Sequence, residues 1–238
     1  MAASALGEAS DAPRDVIRAA GDWLATQLAA EGFAWLPSKR LLRREVDGLI
    51  QEITLQPDRY NRRGSWISAQ GAIGVREPAL GRWRTANASR VSSGGDYICG
   101  TALGYASGRA NGFRYGDYTD GELNLTDPSQ RLPKLHTWLA KVRTGVIPYL
   151  DEASHPEAIV FSRAVEICGN PAGIVEWLIF RQRPQLIPPL VEYFMDNNPG
   201  WADGVEHGRA LGASGGSIPL GCSDMALRLG WVCQLHQP

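Results

Sequence analysis

A three/four spacing of apolar residues opens the chain and then gives way to a two-residue alternation. Val16, Ile17, Ala20, Trp23, Leu24 and Leu28 recur at helical intervals, which predicts a helix over Asp15–Glu31 with one apolar face. Ala12-Pro13 opens it, since proline at the first helical position sacrifices no hydrogen bond. Gly32 is placed to end it in the left-handed conformation, with Phe33 folding back on the last turn. Beyond that point Leu41–Val46 reads as a strand, Asp47-Gly48 as a type I′ hairpin turn and Leu49–Gln56 as the return strand. Leu49, Ile53 and Leu55 share one face of that strand, and Pro57 ends it because proline cannot donate to a ladder. A third strand follows over Trp66–Arg76, where Ile67, Ala69, Gly71, Ile73 and Val75 alternate with Ser68, Gln70, Ala72 and Arg76. Its small residues Ala69 and Gly71 leave room for close packing, most simply by the first helix.

The pattern weakens among the glycines between Arg84 and Gly121, where Tyr97–Tyr105 and Gly121–Leu125 are expected to add strands. Past Asp127-Pro128 it turns helical again. Leu132, Leu135, Leu139, Val142, Val146 and Leu150 keep helical spacing, with Pro148 ending or kinking the helix. Ser154-His155-Pro156-Glu157 has the form of a capping box ahead of the apolar run from Ile159 to Val165. Gly169-Asn170-Pro171 stops that helix. Shorter helical segments follow at Gly173–Arg181 and Pro188–Asp196, and Asn197-Asn198-Pro199 stops the last. Gly200–Gly221 is expected to be a loose loop, with a terminal helix over Asp224–Leu235.

These elements predict an α+β fold: an N-terminal helix packed on an antiparallel sheet, then a C-terminal group of short helices. The expected organisation is a flexible leader over 1–12, one domain over 13–199 and a glycine-rich tail over 200–238. Within the domain the sheet covers about 33–126 and the helices 127–199. The 44% hydrophobic and 21% charged shares are those of a soluble globular protein. No apolar run reaches the roughly 18 residues of a membrane span, and the first residues lack the basic and apolar regions of a secretory signal. The four cysteines (99, 168, 222, 233) form no Cys-x-x-Cys pair, and the four histidines stand far from them. Reduced thiols and a cytoplasmic location are therefore expected, with no zinc, no other metal and no cofactor. Cys168, in an apolar stretch, reads as core packing.

Net charge is −1, but residues 1–34 carry −3, residues 35–90 carry +6 and residues 116–238 carry −5. A basic segment within a nearly neutral chain can guide an anionic partner. Arg59, Tyr60, Asn61, Arg62 and Arg63 lie between two strands, with Trp66 just beyond. Lys39, Arg40, Arg43 and Arg44 are expected at or near the other end of the same sheet region. Guanidinium groups clamp phosphate or carboxylate, and Tyr or Trp can stack on bases. The candidate binding residues are Arg43, Arg59, Tyr60, Arg62, Arg63 and Trp66. Such a loop is also what a solvated hairpin turn looks like.

Catalytic signatures are weaker. Gly212-Ala213-Ser214-Gly215-Gly216 has the G-x-S-x-G form, and Asp224 and His236 follow in α/β-hydrolase order. The flanks lack the buried strand that a nucleophile elbow needs, so a flexible loop is expected instead. Gly94-Gly95-Asp96 and Gly112 form no phosphate cradle. Asp117, Asp120, Glu122 and Asp127 do not have the spacing of a calcium loop.

Leu24 to Val75 resembles the start of an uncharacterised bacterial domain-of-unknown-function family. The resemblance rests on a helix, Gly32-Phe33, a strand over Leu41–Glu45 ending in basic residues, and the hairpin Gly48–Gln56. That hairpin ends in Ile53-Thr54-Leu55-Gln56, and the strand Trp66–Val75 follows. It implies a small α+β protein with helices after the sheet, and it carries no activity and no functional residue. The expected function is that of a non-enzymatic binding or accessory protein with an acidic protein partner. The alternatives are nucleic-acid binding through the loop 57–66, or a hydrolase or transferase whose site is assembled in the fold, for example around Asp117, Glu122 and His136.

Overall fold

In the computed structural model the first helix, α1 (Pro13–Gln27), buries each of the six apolar residues that its spacing puts on one face. It ends as the sequence suggests: Gly32 has φ +84°, and the Phe33 N–H folds back onto Leu28 O at 3.2 Å. The structure describes residues 11–107, 118–167, 169–218 and 222–236. The leader 1–10, Cys168, Gly112, Asp117 and the end of the 200–221 segment lie outside them.

In chain order the strands are β1 (Ala34–Leu36), β2 (Leu41–Val46), β3 (Leu49–Pro57), β4 (Ser68–Arg76), β5 (Tyr97–Ala102) and β6 (Glu122–Asn124). The helices after α1 are α2 (Pro78–Ala86), α3 (Leu103–Ala106), α4 (Arg131–Lys141), α5 (Ile147–Glu152), α6 (Pro156–Ile159) and α7 (Arg163–Glu166). They continue with α8 (Pro171–Phe180), α9 (Ile187–Asn197), α10 (Ala202–Ala213) and α11 (Met225–Leu235). The six strands form one antiparallel sheet in the order β1-β2-β3-β4-β5, with β6 added on the start of β4. An α+β fold with a leading helix and trailing helices is thus present. Among the described residues no helix is long and apolar enough to cross a membrane.

Where the sequence draws one domain over 13–199, the chain divides into two compact units. The first comprises 1–74 and 100–151, the second 75–99 and 152–238. In the first, β2 and β3 pair from Leu41↔Thr54 to Val46↔Leu49. They turn through Asp47 (φ 51°) and Gly48 (φ 78°), the two left-handed residues of a type I′ turn. The space over Gly71 is taken by Leu103 and Trp138, not by the first helix: a Cβ there would lie 2.8 and 3.0 Å from them. The strand expected over Tyr97–Tyr105 stops at Ala102, and α3 replaces its last turn. The helical period from Leu132 to Leu150 is carried by α4, a π turn over Val142–Val146, and α5. Pro148 cannot donate to the carbonyl four residues back, and the wider turn before it absorbs that loss.

In the second unit the Ser154–Glu157 capping box does not form. α6 starts from His155 without a side-chain cap, and Glu157 instead accepts from Arg183 Nε at 2.9 Å. The helix expected beyond it breaks at Phe161 into two short pieces, the second capped by Ser162 Oγ on Ala164 N–H. α8 is buried on nearly every side, with Trp177 fully enclosed. The segment expected as a loose glycine-rich loop contains helix α10. Its glycines are contact points: a Cβ at Gly204 would lie 2.8 Å from Ala226 Cβ, and one at Gly208 would collide with Leu227 O. Gly230 of α11 likewise has no room for a side chain against Val205 O. Local composition reads as a loop because the partner that rewards those glycines lies about twenty residues further on.

Candidate functional site

The basic segment becomes a defined surface at one end of the sheet in the first unit. β2 begins at Leu41 and β3 ends at Pro57, so the turn before β2 and the loop after β3 emerge side by side. The chain enters β2 through Arg40, which holds φ +54° and accepts the Leu55 N–H at 2.8 Å. That conformation costs a non-glycine residue about 1–2 kcal/mol.

The loop after β3 is tied together from within. Asp58 accepts the Tyr60 N–H at 2.8 Å and the Trp66 indole N–H at 3.2 Å. Its carboxyl pKa is held below the usual value, first by the Tyr60 N–H and then by Trp66. Asn61 exchanges two hydrogen bonds with the Ser68 backbone, at 2.8 and 2.7 Å. Gly64, with φ +69°, makes the reversal. Arg59 lies over the Tyr60 ring at 4.6 Å and donates to its hydroxyl at 2.6 Å. Tyr60 is 60% exposed and Trp66 37%. The loop therefore holds Arg59, Tyr60, Arg62, Arg63 and Trp66 on an ordered turn.

Small-molecule sites usually span roughly 300–1,000 Å³, and the cavity beside this loop measures about 670 Å³. Arg14 and Arg18 of α1, Trp35 of β1, Arg40, and Asp58 and Asn61 of the loop all line it. Sequence reasoning missed Arg14 and Arg18: they lie about forty residues before the loop and read as the solvated face of a helix. Among the described residues the side chains of Arg14, Arg18 and Arg40 have no hydrogen-bond or ion-pair partner. Among the described residues the buried Trp35 Nε1 also has no acceptor. Pro13, Ile17, Pro37 and Pro57 give the wall an apolar component.

Arg43 is not part of this cavity. It faces Glu52 across the ladder and pairs with Glu45 at 3.5 Å. Arg44 is structural: it donates to Gln51 Oε1 at 2.6 Å and to Glu31 O at 3.2 Å, pairs with Asp151, and lies over the Phe33 ring. Gln51, fully buried, in turn donates to Leu150 O at 3.0 Å.

The other candidates are engaged elsewhere. Ser214 follows a helix instead of a strand and donates to Leu211 O at 2.9 Å. Asp224 caps α11 through Leu227 N–H, and His236 Nε2 lies 3.0 Å from Arg90 O. Those three residues form no triad. His136 packs edge-on against Trp23, and Asp120 pairs with Lys141 at 3.1 Å. Asp127 caps the turn at Ser129, whose hydrogen bonds lower its carboxyl pKa. Among the described residues no three His, Cys, Asp or Glu side chains converge as a metal site. Comparison with protein-family models, with curated proteins and with solved structures gives no match for this chain.

Proposed function

We propose that the protein is a non-enzymatic binding protein that receives an acidic segment of a partner protein at the basic end of its sheet. The observation that carries this reading is the convergence of Arg14, Arg18 and Arg40, none with a partner among the described residues, on one cavity with apolar walls. Guanidinium groups bind carboxylates through paired, charge-assisted hydrogen bonds. Ile17, Trp35 and Pro37 offer apolar contact between them. That mixture suits an acidic, partly apolar peptide better than an unbroken run of phosphates, which Asp58 would interrupt. We further take the protein to act in the cytoplasm, where its cysteine thiols would stay reduced.

One observation favours a second reading, single-stranded nucleic acid. Tyr60 and Trp66 are exposed beside Arg59, Arg62 and Arg63, and bases stack on such rings. Affinity capture from native lysate, in nuclease-treated and untreated halves, separates the two. A protein that survives nuclease, and is lost with Arg14→Ala/Arg18→Ala/Arg40→Ala, is the expected result. Its affinity should fall about tenfold or more, given the strength of charged hydrogen bonds. Capture lost with nuclease and with Arg59→Ala/Arg62→Ala/Arg63→Ala would establish the second reading instead. No capture in either half would remove both.

A further inference from the structure

We propose that the second unit contains a binding site for a small hydroxylated organic anion, a carboxylate or phosphate ester, in the cavity beside Arg228. The cavity measures about 470 Å³, within the usual range of small-molecule sites. Ser89, Ser92, Ser93, Tyr97, Arg228 and Trp231 are among the residues that line it. It is independent of the basic end of the sheet, and no residue is shared between them.

The wall is built on a buried ion pair. Glu176, fully buried, accepts Arg84 Nε at 2.8 Å. Its other oxygen accepts the N–H groups of Ser92 and Ser93 at 2.6 and 3.1 Å. Arg84 Nη1 then donates to Gly95 O at 3.1 Å and Tyr97 O at 2.6 Å. The segment from Ser92 to Tyr97 is thereby held at both ends. Burying two charges to position a glycine-serine loop is costly, and an apolar pair would fill the space more cheaply. A pinned loop beside a cavity gives that cost a use.

Arg228 supplies the unmatched charge. Its Nη2 donates to Ser92 O at 3.0 Å, Ser93 Oγ at 3.1 Å and Asn170 Oδ1 at 3.0 Å, all neutral acceptors. Among the described residues it has no carboxylate partner, and its Nε and Nη1 have no acceptor. The acids around it are committed. Glu176 is held by Arg84, Asp224 caps Leu227 N–H, and Asp96 pairs with Arg76 at 3.1 Å. Two guanidinium groups thus face one carboxylate, and an oxyanion on the open side of Arg228 would restore neutrality. The Ser92 and Ser93 hydroxyls are engaged with Glu176 and Asn170, so the Ser89 hydroxyl and the Tyr97 ring along the wall suit hydroxyl groups on the ligand's body, while Val91 and Trp231 provide apolar contact.

Calorimetric titration of the full chain with inorganic phosphate, and separately with citrate, tests the site and distinguishes the two oxyanions. Saturable binding of at least one, with one site per chain, is expected. Arg228→Met should weaken it about tenfold or more. Because Arg228 also holds three acceptors, a second variant guards against loss of the fold. A side chain at Gly94, which lines the cavity, would meet nothing within 4 Å. Gly94→Asp should fold normally and weaken binding about tenfold through like-charge repulsion, whereas Gly94→Asn should bind as the parent does. Absence of binding by both anions would overturn the site. So would binding that Gly94→Asp leaves intact, and binding lost only in the Arg14/Arg18/Arg40 variant would place the anion on the first unit.

Discussion

At the scale of single residues, the second unit depends on a few buried polar groups whose partners are far apart in sequence. Arg84 is 2% exposed and Glu176 0%. Burial pushes the Arg84 guanidinium below its ordinary pKa, and the Glu176 charge pulls it back up. Replacing one member leaves the other charged in a dry site, which costs about 3–5 kcal/mol. Glu176→Gln should lower stability by that amount in urea unfolding of the full chain. A loss under about 1 kcal/mol would show that water already reaches the pair. His236 gives a pH signature of the same unit. Burial lowers its pKa below 6.5, and its bond to Arg90 O only partly offsets this. The unfolded chain therefore takes up the proton first as pH falls. Stability from neutral His236 is complete above pH 6.5 and is lost on acidification toward the folded-state pKa. Side-chain NMR should give a His236 midpoint below 6.5; a midpoint at or above it would contradict the burial.

At the scale of elements, the contact between α10 and α11 reverses the usual effect of a glycine substitution. Replacing glycine by alanine in an exposed helix interior gains up to about 1 kcal/mol. At Gly230 the new Cβ would enter the space of Val205 O, and at Gly208 that of Leu227 O. Overpacking of this kind costs about 1–3 kcal/mol and involves backbone, which has little freedom to move aside. Gly230→Ala should lower the melting temperature, while Gly200→Ala, with nothing within 4 Å, should leave it unchanged or raise it. Equal effects at both positions would refute the close crossing. The same helices mark where local reading stops. The alternation over β2 and β3 is legible because the Asp47-Gly48 turn and its ladder are separated by a few residues. The Gly204, Gly208 and Gly212 spacing makes sense only beside Ala226, Leu227 and Gln234 of α11. Arg59 to Trp66 is legible as a cluster because it is contiguous. Arg14, Arg18 and Arg228 are scattered, and only folding brings them to their cavities.

At the scale of the molecule, the two units are interleaved along the chain, which limits how the protein can be divided. Residues 75–99 belong with 152–238, although 52 residues of the first unit separate them in sequence. Residues 75–99 supply what the later helices need. Glu77 accepts the Trp177 indole N–H at 2.7 Å and Arg181 Nε at 2.9 Å, Arg84 matches Glu176, and Ser92 and Ser93 engage both Glu176 and Arg228. A fragment starting at residue 152 would bury Glu176 with no counter-charge and leave the Trp177 N–H with no acceptor. Each loss costs a few kcal/mol, comparable together with the whole stability of an ordinary domain, about 5–15 kcal/mol. A fragment ending at residue 151 would keep 75–99 with none of the helices that bury it. The fragment 152–238, expressed alone, should therefore show no cooperative thermal unfolding of its own, whereas 1–151 keeps the whole of the first unit. Mixing the two should give 152–238 a cooperative transition if the missing partners are the cause. A cooperative transition in 152–238 alone would mean that the contacts from Glu77, Arg84 and Ser92 are dispensable, and would overturn the division of the chain into these two units.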